Sequence, residues 1–168
     1  MAEIIDWWLT IFHRIAEIMD ENDYKTCTIV GPGRRWKRPI YTLTIDCDLQ
    51  ILKIVDKDPY VEEWYVGHNF VCADAVFDEI PIEGDVLISF HGEKYYPLNY
   101  KNHIVILDTQ PNKPIEGREI EGFMTSNCTT EEHFQDQNIV ERYEFGGYEY
   151  MIEDQKGCDN YVLLHIKN

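Results

Sequence analysis

Apolar and polar residues follow a helical period over residues 3–20. Apolar side chains cover one continuous face of the helical wheel there, and acidic or polar side chains cover the other. This pattern predicts an amphipathic helix that packs on a sheet or in a deep groove. Trp7 falls at the border of the apolar face, where an indole either covers the edge of the core or anchors a partner.

From residue 26 the period changes to two, which is typical of half-buried strands. Residues 26–30 and 39–47 each fit this period; in the second segment Tyr41, Leu43 and Ile45 alternate with polar residues. Gly31-Pro32-Gly33 begins the connection between them, and such a run is common in tight turns. The pattern therefore predicts a β-hairpin whose tip is formed by residues 31–38.

Further strand-like segments continue to the end of the chain. They cover residues 49–55, 60–66, 86–90 and 103–107. The last part predicts a three-stranded meander over 138–145, 148–154 and 160–166, with Gly146-Gly147 as its first turn. Thr129-Thr130-Glu131-Glu132 has the composition of the first turn of a short helix.

These elements predict an α+β fold. The N-terminal amphipathic helix would pack on a largely antiparallel sheet of about ten short strands, with closure toward a barrel as an alternative. A chain of 168 residues is the size of one ordinary domain, so we expect residues 1–168 to form a single α+β domain.

Charge narrows the range of partners. The chain carries 31 acidic and 15 basic residues, a net charge of −16 with histidine neutral. Such a balance disfavours nucleic acid and anionic membranes, which are bound through Lys and Arg, and it favours a basic protein partner. The alternative is that the negative net charge serves only to keep the protein soluble. The five cysteines form no C-x-x-C pair and no long apolar run occurs, so we expect a cytoplasmic protein.

One compact basic segment interrupts this acidity at the predicted hairpin tip. It consists of Arg34, Arg35, Trp36, Lys37 and Arg38. Four cations beside an indole suit contact with phosphate, carboxylate or a stacked base, or they offset neighbouring carboxylates. The segment is not a P-loop, because the Gly-Lys-Ser/Thr ending is absent and the pattern predicts a strand after it.

The densest acidic patch has two interpretations, a surface that mimics nucleic-acid charge and an ordinary solvated loop. Its members are Asp74, Asp78, Glu79, Glu83 and Asp85. We take this patch, the basic segment and Trp7 as candidate partner-binding residues.

Metal and catalytic motifs are incomplete. His91 and Glu93 could form an iron site only with a distal His133 or His165. His68 and Cys72 have ligand-like spacing but no second pair. Asp46 and Asp48 would share one face of a strand and could hold a divalent cation. No catalytic residue, metal site or cofactor follows from these fragments.

The leading hypothesis is a non-enzymatic acidic protein that binds a basic macromolecule. An inhibitor of a defence nuclease or a toxin-neutralising immunity protein, of the kind carried by phages and mobile elements, would fit. The alternatives are a metal-dependent hydrolase or nuclease and a small-ligand-binding β-barrel. Direct nucleic-acid binding is expected only through residues 34–38. Whether the protein is an enzyme is left open, and a non-enzymatic protein is favoured.

Overall fold

The computed structural model describes residues 7–33, 36–75, 77–95, 97–109, 129–152 and 155–168. The predicted N-terminal helix is confirmed as α1, Trp7–Glu21. Its apolar face is the predicted one, because Ile11, Ile15 and Ile18 are fully buried in the core. None of the helices among these residues is both long and apolar enough to cross a membrane.

The strands form one mixed sheet in the order β3-β2-β1-β4-β5-β7-β6. The strands are β1 (Thr26–Val30), β2 (Gln50–Asp56), β3 (Phe70–Cys72), β4 (Val86–Ser89), β5 (Asn102–Asp108), β6 (Ile139–Ile152) and β7 (Gln155–Lys167). The first five are parallel, and β7 lies antiparallel between β5 and β6. The chain order reverses direction between β1 and β4, which makes their carboxyl ends a topological switch point.

The α+β class is confirmed, but the predicted antiparallel sheet is wrong. Four of the strand pairings are parallel and two are antiparallel. In the described part of the chain the sheet has seven strands, compared with about ten predicted, and it is open, with β3 and β6 at its edges. A closed barrel is therefore ruled out as its architecture.

The main source of this error is the segment 39–47, which is helical. The strand predicted over 60–66 is also wrong, because a 3₁₀ helix spans Pro59–Trp64 there. Helix α2 spans Lys37–Asp46. Trp36, Ile40 and Leu43 are buried at helical spacing, whereas Tyr41 and Ile45 are exposed. Pro39 lies in the first turn of the helix, where its missing N–H removes no intrahelical hydrogen bond. Strand β1 is thus followed by a helix and not by a second strand, so the predicted hairpin is wrong.

The C-terminal meander is also corrected. Strand β6 continues through Gly146 and Gly147 with a register shift between Phe145 and Tyr148, so two long strands replace the three predicted ones. A pair of glycines inside a strand accommodates a bulge as readily as a turn. The short helix predicted after Thr129 is confirmed as a 3₁₀ helix, Glu131–Phe134, which Thr130 and His133 cap.

Helices α1 and α2 pack on the same core as one face of the sheet. Buried residues from both helices join Cys27 and Ile29 of β1 and Ile88 of β4 in the largest core cluster. Val30, Val55 and Leu87 form a separate cluster with Tyr95 and with loop residues such as Ala73 and Ile80. Beyond the carboxyl ends of β1, β2 and β4 lie the loops that form the candidate site.

Candidate functional site

The turn after β1 is built from two glycines in left-handed conformations. Gly31 has φ +70° and Gly33 has φ +56°. At Gly31 a Cβ atom would lie 2.7 Å from the Phe90 carbonyl oxygen, so the turn approaches the loop after β4 more closely than a side chain permits. At Gly33 no heavy atom of the other described residues lies within 4 Å of such a Cβ, so these residues leave room beside the Gly33 backbone.

Asp56, the last residue of β2, anchors this turn. Its Oδ2 accepts the Gly33 N–H at 2.9 Å, and its Oδ1 accepts the Asp58 N–H at 3.0 Å. The Asp56 side chain is buried at the end of a parallel strand. Each carboxylate oxygen has two acceptor positions, so both oxygens retain capacity for hydroxyl donors from a ligand.

Two buried tyrosines fix the same region. The Tyr65 hydroxyl donates to the Gly33 carbonyl oxygen at 2.8 Å, and the Tyr95 hydroxyl donates to that of Phe90 at 2.7 Å. Burial raises the pKa of both phenols above the ordinary value of tyrosine. Both side chains therefore remain protonated donors, and the glycine turn is held through its N–H and its carbonyl group.

These loops enclose a cavity of about 400 Å³. This volume lies in the usual range for a small-molecule site. Apolar atoms of Val30, Val55 and Ala75 line it together with the glycine turn, and Asp56 adds a carboxylate. Further charged or polar groups at its wall come from Lys57, Asp74, His91, Lys94 and Tyr95. A flat apolar group with adjacent hydroxyls suits this lining.

The loop after β4 closes the other side of the cavity. His91 has a left-handed backbone, with φ 53° and ψ 43°, and begins the 3₁₀ helix Gly92–Lys94. The Trp36 indole Nε1 donates to His91 Nε2 at 3.0 Å. His91 Nδ1 lies 3.4 Å from Oε1 of the buried Glu93. The loops after β1 and β4 are thus joined by side chains.

The structure places the basic segment differently from the prediction. Trp36 is buried against Phe12 and Phe90, so it belongs to the core and not to an exposed tip. Lys37 is exposed at the start of α2, with Nζ 5.3 Å from the centroid of the Trp64 ring. Arg34 and Arg35 lie outside the described residues, as do the side chains of Arg38 and Trp7.

The acidic patch divides between two edges of the sheet. Asp74 and Asp78 follow β3 at the carboxyl edge, where the Asp74 N–H donates to Asp78 Oδ2 at 2.7 Å. Asp85 lies at the amino edge; backbone hydrogen bonds from Lys25 and Thr26 lower the pKa of its carboxyl group. Glu79 is exposed between these edges, and Glu83 is exposed with its carboxylate 3.5 Å from Lys53 Nζ. A role for these acids in partner binding stays a prediction.

His91 and Glu93 lie side by side, but the distal histidines proposed to complete a metal site with them lie elsewhere. His133 caps the 3₁₀ helix Glu131–Phe134, and His165 pairs with Tyr24 at the amino edge, away from His91. Asp46 and Asp48 lie at the end of α2 instead of on a strand. No group of three or more His, Cys, Asp or Glu residues among the described residues is placed to hold a metal ion.

Sequence reasoning missed Asp56 and interpreted the glycines only as a hairpin turn. A signal was present: Gly31-Pro32-Gly33 directly follows one buried strand, and a carboxylate directly ends the next. That combination is typical of nucleotide-binding α/β units, provided that the strands are parallel. Since residues 26–47 were interpreted as a hairpin, the glycine turn and Asp56 were not connected.

Comparisons with known proteins agree on the fold. No family model matches the chain, and no curated protein matches it. Among solved structures, the putative RNA methyltransferase PH1948 from Pyrococcus horikoshii has a TM-score of 0.56 at 10% identity, over 94% of this chain and 83% of that chain. Protein 1320 of Thermoplasma acidophilum has a TM-score of 0.53 at 12% identity, over 92% of this chain and 85% of that chain. At such identities the likeness shows a shared fold.

This shared fold overturns the functional prediction. A non-enzymatic acidic inhibitor or immunity protein built on an antiparallel body is wrong, because the chain has the fold of a protein named as a putative RNA methyltransferase. The β-barrel alternative is set aside because the sheet is open. The metal-hydrolase alternative, which rested on clustered carboxylates and on His91 and Glu93, is set aside because the described residues bring no three such ligands together.

Proposed function

We propose that the protein binds S-adenosylmethionine in the cavity beyond β1, β2 and β4 and acts as a methyltransferase. The observation that carries this proposal is the hydrogen bond between the Gly33 N–H and the carboxylate of Asp56. It brings a glycine backbone and a buried acceptor together at the switch point in the parallel part of the sheet, and nucleotide ligands of open α/β folds are bound at such points.

The residues present fit such a ligand. Asp56 would accept the two ribose hydroxyls, because both of its oxygens retain acceptor capacity beyond the backbone N–H groups of Gly33 and Asp58. Gly33 leaves room for close approach to the backbone. The apolar wall of Val30, Val55 and Ala75 would cover the adenine. When bound, the cofactor supplies an activated methyl group on sulfur.

A dinucleotide is the competing ligand at a glycine turn of this kind, and two features favour S-adenosylmethionine. The dinucleotide fingerprint G-x-G-x-x-G requires a third glycine for close packing of helix on strand, and this chain has the bulky, buried Trp36 there. The order of the sheet, with an antiparallel β7 inserted between β5 and β6, also differs from the classical dinucleotide order. The fold shared with PH1948 supports the same choice.

Calorimetric titration tests the cofactor, with S-adenosylmethionine, S-adenosylhomocysteine and NAD as ligands. We expect the first two to bind and NAD not to bind. The Asp56→Ala variant should weaken binding by about 100-fold or more, because two hydrogen bonds to a charged acceptor contribute about 1.5–3 kcal/mol each. Preferential binding of NAD, or no binding by the wild-type protein, would contradict the proposal.

Asp58→Ala is the matched control for that titration. Asp58 is the same residue type two positions away, and its carboxylate caps the 3₁₀ helix Pro59–Trp64 by accepting the Tyr60 N–H at 2.9 Å. It does not line the cavity. Loss of the Asp58 carboxylate should therefore leave the affinity for S-adenosylmethionine unchanged.

A methyl-transfer assay identifies the methyl acceptor. RNA, DNA and protein fractions are each incubated with labelled S-adenosylmethionine, and the fraction that takes up the labelled methyl group contains the acceptor.

A further inference from the structure

Three segments at the carboxyl edge of the sheet meet around His91. The Trp36 indole, from the turn before α2, donates to His91 Nε2 at 3.0 Å. Glu93, two residues after His91, approaches Nδ1 with Oε1 at 3.4 Å. The other oxygen of Glu93, Oε2, accepts the N–H of Asp108 at the end of β5 at 3.1 Å. The loops after β1 and β4 are thereby linked to the end of β5.

These contacts determine where the imidazole proton lies. An indole N–H is a donor only, so His91 Nε2 must be an unprotonated acceptor. The ring proton of neutral His91 is then on Nδ1 and points toward Glu93. The 3.4 Å separation is longer than a standard hydrogen bond, so the carboxylate acts on this proton mainly through its charge. Glu93 has an exposed fraction of only 2%, which limits screening of that charge by solvent.

The position of His91 in the backbone connects this arrangement to the cavity. A non-glycine residue in the left-handed region is uncommon, and such residues concentrate at functional sites. His91 has φ 53° and lies in the wall of the cavity, as do the neighbouring Lys94 and Tyr95. Phe90, the preceding residue, presents the carbonyl group that closely approaches Gly31. A change in the His91 ring would therefore reach the glycine turn through Phe90, and the start of α2 through Trp36.

We propose that Glu93 is a positioning residue for the cavity. Its carboxylate holds the His91 proton on Nδ1, which leaves Nε2 free to accept the Trp36 indole N–H and keeps the loops after β1 and β4 together. Glu93 itself does not touch the ligand. The consequence for ligand affinity rests on the proposed function, whereas the proton position does not.

The variant Glu93→Gln tests the proton position. If the Gln oxygen stays on the Asp108 N–H, the amide NH₂ faces Nδ1 and favours an unprotonated nitrogen there, so the proton moves to Nε2 and opposes the indole. Nitrogen-15 chemical shifts of the His91 ring report this directly. We expect protonated Nδ1 in the wild-type protein and protonated Nε2 in the variant. An unchanged tautomer in the variant, or protonated Nε2 in the wild-type protein, would overturn the proposal.

Ligand affinity gives the second measurement, with S-adenosylhomocysteine as the probe. Glu93→Gln should weaken binding by about tenfold, the factor expected when a buried donor loses its acceptor. Trp36→Phe should have a similar effect, and the double variant should be no weaker than either single variant, because both act through one interaction. If the losses of affinity in the two single variants add up in the double variant, Glu93 and Trp36 act independently, which would contradict the proposal.

Tyr24→Phe is the matched control. It removes the hydrogen bond of 2.9 Å between the Tyr24 hydroxyl and His165 Nε2, which is also buried but lies at the amino edge of the sheet. Its thermal midpoint should fall with no change in affinity. If the wild-type protein does not bind S-adenosylhomocysteine, the proposed function fails, and the nitrogen shifts of His91 alone decide the role of Glu93.

Discussion

At the residue scale, Gly31 shows how one missing side-chain atom shapes the site. We predict that Gly31→Ala destabilises the protein more than Gly67→Ala. Both residues have positive φ, +70° and +89°, so each substitution incurs the left-handed cost of about 1–2 kcal/mol. Only at Gly31 would the new Cβ meet a backbone oxygen, at 2.7 Å from the Phe90 carbonyl. Overpacking of this kind adds about 1–3 kcal/mol.

Urea denaturation of the two variants checks this difference, because the shared backbone strain cancels between them. Equal losses of unfolding free energy would mean that the loop after β4 moves away freely, which the hydrogen bond from the Tyr95 hydroxyl to the Phe90 carbonyl oxygen opposes.

His103 gives the protein a defined response to acid. Complete burial lowers the pKa of His103 to about 3, and burial lowers that of His165 to about 4. An unfolded histidine titrates near pH 6.5, so the unfolded chain binds more protons than the folded chain below that pH. The contribution of the neutral, buried histidines to the free energy of unfolding is therefore fully present above about pH 6.5. It decreases as the pH falls toward about 3.

We predict that His103→Gln loses less unfolding free energy than the wild-type protein when the pH is lowered from about 7 to about 4. The wild-type loss due to His103 approaches about 1.4 kcal/mol per pH unit within this range. Denaturant titrations at several pH values measure both slopes. Parallel slopes would show that His103, which lies 2.6 Å from the Ser89 hydroxyl through Nε2, takes up its proton without cost.

At the element scale, the residues of α2 fit both the period of a strand and the period of a helix, and their burial in the structure distinguishes the two. Leu43 and Ile45 would share one buried face of a strand, but in the helix Leu43 is 2% exposed and Ile45 is 66% exposed. We predict that Leu43→Ala costs about 2–5 kcal/mol and that Ile45→Ala changes stability by less than about 0.5 kcal/mol. Thermal and urea unfolding of the pair measures this. Similar losses would support the strand over the helix.

The strand and helix predictions succeeded where local pattern and burial agreed. Helix α1 was found because its apolar face is the buried one, and strand β1 and the chain segments of β2, β4 and β5 were found because each is a short run rich in apolar residues. Strands β1, β4 and β5 are buried along nearly their whole length instead of on one face, as strands inside a parallel sheet are. The glycines within β6 were misassigned to a turn. At Gly146 a Cβ would lie 2.5 Å from the Asn160 side-chain oxygen, so the glycine there reflects a close neighbour on the adjoining strand.

At the scale of the whole molecule, one error decided the topology and concealed the site. A hairpin between β1 and the next element makes neighbouring strands antiparallel, whereas a helical crossover makes them parallel. With α2 assigned as a strand, Gly33 and Asp56 could not be placed at the same edge of the sheet. Sequence alone therefore gave the class and the N-terminal helix but not the site. A single domain over residues 1–168 and a basic protein partner stay predictions.

The net charge of −16 makes a prediction for the folded molecule as a whole. Self-repulsion among like charges destabilises the compact state, and salt screens it over a Debye length that falls from about 30 Å at 0.01 M to about 10 Å at 0.1 M. We expect the thermal midpoint to rise over this range of sodium chloride. A lower midpoint at the higher salt would mean that favourable ion pairs, such as Arg14 with Glu141, outweigh the repulsion.

Strand β6 has a consequence for how copies of this protein meet in a concentrated solution. It forms one edge of the sheet along 14 residues, and an edge of this length is a template on which another chain could add. Arg142 and Glu144 are exposed along it, and Arg142 is held in ion pairs with Glu131 and Glu144. Charged side chains on an edge strand disfavour the addition of a further strand. The charged side chains of β6 therefore disfavour aggregation through this edge.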